Sequence, residues 1–218
     1  MLIRWFGQSS FYIISNDGVK IITDPYMPAS AGGFLDYGAI QVPADIVTVS
    51  HDHKDHSFID NIPRGYEVFT HPVSKIVKGI NIRGVESYHD ADSGAHRGKD
   101  IIFTFDVDRI RICHLGDIGY VLSPAEVEDL GRVDILLIPV GGKYTIDPDE
   151  ATQLVNRMNP RVVIPMHYRT DKADILPYTV DDFVSGKSNV TRLDSSGFEA
   201  IKENLPETTQ IIVLKHEL

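Results

Sequence analysis

The chain has 218 residues, 42% of them apolar and 24% charged, with 31 acidic against 21 basic side chains and a net charge of −10. A chain of this size and balance can bury a full core, while its negative charge disfavours nucleic acid as a partner, since that affinity rests on neutralising phosphates. A lone cysteine, Cys113, excludes an internal disulfide, and no run approaches the roughly 20 apolar residues of a membrane-spanning helix. With Arg4, Gln8 and Ser9 interrupting the apolar start, the expectation is a soluble cytoplasmic protein with no membrane span and one domain, residues 1–218.

The first fifty residues read as strands. "IRWF" and "SFYIIS" are followed by a turn at Asn16, Asp17 and Gly18, and then by "VKIITDP", which Pro25 closes. Residues 25–44, rich in Gly, Pro and Ala, read as a long surface loop of the kind that lines sites. "ADIVTVS" is short and nearly all apolar, the pattern of a strand buried on both faces, and it ends at His51. Next come a short helical turn in "SFIDNI", a strand "YEVFT", a helix after Pro72, and a strand within "INIRGVESY" that ends at His89.

"DIIFTFDVDRIRICHLGD" reads as two strands around a turn at Asp106 to Asp108. Two helices carry capping boxes with proline at the first helical position: Ser123, Pro124 and Glu126 in one, and Asp147, Pro148 and Glu150 in the other. Between them "DILLIPV" reads as a buried strand, and after them "RVVIPMH" as another that ends at His167. Two similar halves, with sheets inside and helices outside, predict an α/β fold of the four-layer αββα sandwich type.

The chemistry concentrates in "VSHDHKDHS". His51 and His53, two apart in extended backbone, point to one side and can reach one cation, and Asp55 and His56 begin the next turn. His89, Asp117 and His167 follow other strand ends, bringing the candidate metal ligands to seven. That is too many for one tetrahedral ion and suits two divalent ions sharing a carboxylate. Zinc is the first choice, with manganese or iron as alternatives for such a donor set. His96 is the competing ligand to His89, but Gly94 and Gly98 mark its segment as a mobile loop. His114 reads as a core or supporting histidine, His71 and His216 as strand-end and tail residues, and Cys113 as a small buried apolar side chain.

These residues resemble a known family. "HDHKDH" is similar to the HxHxDH signature of the metallo-β-lactamase fold, and "HLGD" and "PMHY" resemble its bridging-aspartate and final-histidine motifs. "WFGQSSFYI" and "VKIITDP" resemble the branch containing ascorbate-6-phosphate lactonase and the N-acyl-phosphatidylethanolamine phospholipases. That branch usually has His where Gln8 stands here. The resemblance implies His51, His53 and His89 on one metal ion, Asp55, His56 and His167 on a second, and Asp117 between them.

Two such ions imply hydrolysis, with Asp55 the candidate catalytic residue, oriented to accept a proton from the attacking water. Lys143 and Tyr168 lie beside elements that end at the same rim. "PVGGKYTID" ends a buried strand in a Gly-Gly turn whose amides could approach a substrate. Arg97 and Lys99, with Lys143 and Arg169, could hold a phosphate or carboxylate. The expected partner is therefore a small anionic molecule: a phosphate ester, a phosphodiester or a lactone. A nuclease would use the same site but needs a basic groove or arm, which the sequence does not display. A non-hydrolytic di-iron relative would typically carry Glu at the position of His53.

Overall fold

The computed structural model describes residues 1–33 and 35–218. In chain order the strands are β1 (Leu2–Gly7), β2 (Ser10–Ile14), β3 (Lys20–Thr23), β4 (Ile46–Thr48), β5 (Glu67–Phe69), β6 (Val73–Val77), β7 (Ile80–Tyr88), β8 (Lys99–Val107), β9 (Ile110–His114), β10 (Ile135–Pro139), β11 (Val162–Met166), β12 (Val190–Arg192), β13 (Gly197–Glu199) and β14 (Gln210–Val213). The helices are α1 (Ser30–Gly33), α2 (Pro124–Leu130), α3 (Pro148–Met158) and α4 (Val180–Val184), with one 3-10 turn at Lys202–Asn204. Among the described residues no helix is long and apolar enough to cross a membrane.

The strands form two sheets, one in the order β13-β1-β2-β3-β4-β5 and the other β12-β14-β11-β10-β9-β8-β7-β6. Ile3, Trp5, Phe11, Ile13, Ile21 and Ile46 of the first sheet share one apolar core with Phe103, Phe105, Ile112 and Leu136 of the second. Helices α2 and α3 add Leu130, Ala151, Leu154 and Val155 to that core. Both predicted capping boxes form, at Ser123 with Glu126 and at Asp147 with Glu150, satisfying the free amides that begin each helix.

The first sheet alternates its side chains as a strand must. Its other face carries Phe6, Tyr12, Ile22 and Val47, covered by Tyr26, Leu35, Tyr37 and Ile40. Residues 25–44, expected to be a surface loop, thus bury Tyr26, Leu35, Tyr37 and Ile40 and form an outer layer over this sheet. The segment is irregular because Gly and Pro interrupt any hydrogen-bond ladder, yet its apolar residues are spaced to cap a sheet face. Phe34 lies outside the described residues.

The helix expected after Pro72 is not formed; β6 occupies that stretch and pairs antiparallel with β7. The physical reason is local. Val73, Ile76 and Val77 favour extended backbone, and Lys78 (φ 47°) with Gly79 (φ 84°) makes a two-residue turn of the left-handed type that hairpins prefer. A second turn of this kind, at Asp108 (φ 51°) and Arg109 (φ 65°), joins β8 to β9, so β8 runs on through Val107, beyond the expected turn at Asp106.

Strand direction sets the site. β3, β4 and β5 run parallel, as do β9, β10 and β11. β7 points the same way as β9, because each is antiparallel to β8. The chain positions just past these C-terminal ends are Asp24, His51, His89, Asp117 and His167. They gather at one rim, the edge where open α/β sheets place ligands.

Candidate metal centre

Four of the predicted histidines converge on Asp117, and His53 and Asp55 belong to the same cluster. Asp117 Oδ2 lies 3.1 Å from His56 Nε2, 3.2 Å from His167 Nε2, 3.5 Å from His89 Nε2 and 3.9 Å from His51 Nε2. Three groups bring ligand atoms within 4.8 Å of one another: the two expected triads, His51, His53 and His89 in one and Asp55, His56 and His167 in the other, and a third made of Asp24, His51 and His56. The rings of His51 and His53 are 4.6 Å apart and those of His51 and His89 4.7 Å.

Carboxylates behind the rings orient them, and sequence reading missed these. Asp24, fully buried, receives 2.8 Å and 2.5 Å hydrogen bonds from the backbone N–H and hydroxyl of Ser50. With its proton on Asp24, the Ser50 oxygen is left to accept from His51 Nδ1 at 3.0 Å. His56 Nδ1 donates to Asp24 Oδ2 at 2.9 Å. Both imidazoles therefore turn an Nε2 toward Asp117, and the partner of the other nitrogen selects the tautomer, as it does in metal sites generally. Asp100 takes the backbone N–H of Asp117 at 3.1 Å and the hydroxyl of Ser87 at 2.9 Å.

Two glycines let the backbones meet. A Cβ on Gly119 would lie 2.6 Å from the backbone of His89 and Asp90, and Gly119 N–H donates to Tyr88 C=O. A Cβ on Gly141 would lie 2.1 Å from the His167 carbonyl oxygen. The Gly-Gly turn after β10 is thereby explained: it admits the segment that carries His167.

The electrostatics call for a cation. Burial opposes charge on Asp117, yet His167 and His56 hold its carboxyl well below the usual carboxylate range. Burial likewise opposes protonation of His56, yet Asp117 and Asp55 raise it well above an ordinary imidazole. Burial lowers His89 to about 4 against the pull of Asp117, and burial with His51 lowers His53, so these two rings stay neutral. Neutral imidazoles are the form that binds metal. The buried His51 Nε2, His56 Nε2, His89 Nδ1 and His167 Nδ1 have no hydrogen-bond partner. Buried polar atoms left unpaired are rare and costly, and the two that face Asp117, His51 Nε2 and His56 Nε2, fit a site that completes its bonding with metal.

Other expected residues fall in several places. Arg97 and Lys143 line a cleft beside His89, together with His96, Tyr144 and Thr145. Tyr168 is 5% exposed and packs its ring 5.1 Å from that of Trp5, a core position rather than a place on that cleft. Lys99 is engaged by Glu86 at 2.8 Å, and exposed Arg169 is not among the residues lining the cleft. His96 is exposed, pairs with Asp92 at 3.0 Å and belongs to neither triad. Its loop is not left free by the glycines: Asp90 accepts backbone N–H bonds from Asp92, Gly94, His96 and Arg97. His114 is a supporting residue, its Nε2 2.8 Å from the Ser9 carbonyl. Cys113 is buried, His71 is exposed, and His216 pairs with Asp171 near the C-terminal residue Leu218.

A family model described as the β-lactamase superfamily domain matches residues 2–167, the span that carries every residue of both triads. The chain belongs to the β-lactamase superfamily. Among its superfamily relatives, a UPF0173 metal-dependent hydrolase of Methanocaldococcus jannaschii is 26% identical, covering 96% of this chain and 100% of the relative. A UPF0173 protein of Pyrococcus furiosus is 30% identical over 78% of this chain and 84% of its own length. A crystal structure from Thermotoga maritima, described as a zinc-dependent hydrolase of the metallo-β-lactamase superfamily, superposes with a TM-score of 0.80. It is 36% identical and covers 98% of this chain and 97% of that one. The chain is accordingly a metal-dependent hydrolase of this superfamily, and the side chains gathered at the shared rim could hold a metal ion.

Proposed function

We propose that the chain, acting as one catalytic domain over residues 1–218, is a dinuclear hydrolase of a small anionic substrate in the cytoplasm. His51, His53 and His89 hold one ion, Asp55, His56 and His167 hold the second, and Asp117 is shared between them. Zinc is the first candidate, and manganese or iron also suits a histidine and carboxylate set. The observation that carries this reading is the placement of Asp117 Oδ2 within 3.1 to 3.9 Å of four imidazole nitrogens drawn from both triads.

Two such ions, when bound, supply an activated water and a Lewis acid for the substrate oxygen that gains charge. The chain's own residues do the positioning. Asp55 is partly exposed, with Oδ2 3.4 Å from His56 Nε2 and fixed by a 3.0 Å hydrogen bond from Gln8 Nε2. Burial opposes its charge, but His56 keeps its carboxyl far below the usual range, so it stays an anion able to receive a proton from the attacking water. Asp24 and Asp100 keep the rings and the Asp117 backbone from rotating while charge moves. Arg97 and Lys143 supply positive charge at the open side. A screen of metal-reconstituted protein against phosphodiesters, phosphomonoesters, lactones and thioesters tests the reading. Turnover of one class, lost on chelation and regained with metal, supports it, and inertness toward all four rejects it.

A further inference from the structure

The cleft beside His89 has features that a metal centre alone does not require. The Arg97 guanidinium carbon lies 3.6 Å from the centroid of the Tyr144 ring, and Lys143 Nζ lies 4.8 Å from the same centroid. Two cations held on one aromatic ring repel each other unless an anion joins them. Among the described residues neither makes a salt bridge, although the chain is acidic and Lys99, two residues from Arg97, has Glu86. Asp90, the carboxylate among the residues lining the cleft, spends both oxygens on four backbone N–H groups, at 2.8 to 3.0 Å.

The same four bonds fix the loop that presents Arg97. Gly98 N–H donates to Gly94 C=O at 3.0 Å and His89 N–H to Gly98 C=O at 3.1 Å, so the loop closes directly on His89. On the far side of the histidines, the cleft that includes His51 is lined by Val49, Ile59, Val68 and Asp52 and holds no Lys or Arg. Of these two clefts, the one beside His89 is the one lined by Lys and Arg.

We propose that this cleft is an oxyanion subsite, in which Arg97 and Lys143, both held on Tyr144, bind a phosphate or carboxylate group of the substrate that is not itself cleaved. The flat guanidinium offers paired N–H donors and the ammonium a second charge, a combination that suits a tetrahedral or planar oxyanion. The substrate is then bifunctional: its scissile group lies at the histidines and its recognition group lies beyond His89. This rests on the dinuclear hydrolase reading for the scissile end only, because the subsite itself is made of side chains.

The test is inorganic phosphate, and separately acetate as the carboxylate arm, titrated calorimetrically into metal-replete protein, with bound metal measured on each sample. The variants are Arg97→Gln, Lys143→Gln, the double variant, and a control double variant at the remote exposed cations Arg64 and Arg132. The expected result is at least a tenfold loss of phosphate affinity in the cleft double variant, with metal content unchanged and the control unaffected. Should Arg97→Gln disturb folding or metal loading, exposed Lys143→Gln alone decides, with a loss of at least threefold expected. Unchanged affinity in the cleft variants, or an equal loss in the control, overturns the subsite. Retained phosphate binding by protein that takes up no metal would instead sink the dinuclear reading and leave the subsite standing.

Discussion

Gln8 Nε2 donates to Asp55 Oδ2 at 3.0 Å, joining the turn after β1 to the histidine-rich segment. The same residue accepts the His167 backbone N–H at 3.1 Å and the Trp5 indole N–H at 3.0 Å through its carbonyl oxygen. One turn residue thus braces two members of the second triad. It adopts φ 49°, a strained value for a residue with a side chain.

Gln8→Ala removes the side-chain hydrogen bond while leaving both backbone contacts. Turnover should fall at least about tenfold, since a hydrogen bond to a charged group contributes ~1.5–3 kcal/mol. Metal content should be retained. Gln8→His, which can still donate toward Asp55, should recover most of the activity. Kinetics on the two variants side by side check this, and equal losses in both would remove Gln8 from the positioning role.

Gly119→Ala should act on the metal centre from behind. The new Cβ meets the backbone of His89 and Asp90 at 2.6 Å, and backbone cannot swing away as a side-chain tip can. The expected cost is about 1–3 kcal/mol of stability, the usual range for overpacking, together with weakened binding at the His51, His53 and His89 triad. Thermal melts with metal analysis report both, and wild-type values in each would show that the turn adapts.

His89 and His96 separate cleanly by substitution. His89→Ala should lose one ion per chain, since His89 is buried with its Nε2 facing Asp117 at 3.5 Å. His96→Ala should keep both ions, because its imidazole is exposed and paired with Asp92. Metal analysis giving the reverse pattern would reassign the ligand.

The strand ends that carry the histidines were legible because short apolar runs stop at chemistry-bearing residues, and the two capping boxes were legible because Ser123 and Asp147 act locally. What was not legible depends on distant contacts. Asp24 in "ITDP" looks like the end of any strand, and its role exists only because His56, 32 residues on, donates to it. Asp100 likewise acts on Asp117 across 17 residues; the signal in each case was a carboxylate at the edge of an otherwise apolar strand. The stretch after Pro72 carries no clear period because five residues are too few to display one, and the turn at Lys78 and Gly79 is what makes it a hairpin. Residues 25–44 resembled a solvated loop by composition, whereas Tyr26, Leu35, Tyr37 and Ile40 cover a sheet face that only the folded chain presents.

Asp117→Ala should leave secondary structure intact by circular dichroism while reducing turnover by at least ~1,000-fold, the loss of some 4 kcal/mol expected when a central electrostatic group is removed. It should also cut bound metal, since among the described residues Asp117 is the carboxylate within 4 Å of all four imidazoles. Activity within a few-fold of wild type would refute the shared role of Asp117.

The most direct test of the account is bound metal per chain in protein expressed with ample zinc, measured by plasma mass spectrometry, beside the melting temperature before and after chelation. Ligands gathered from four chain segments couple metal binding to folding, so the account predicts two ions per chain and a melting temperature that falls on chelation and recovers when zinc or manganese is restored. A metal content near zero, with no thermal response to either ion, would contradict it.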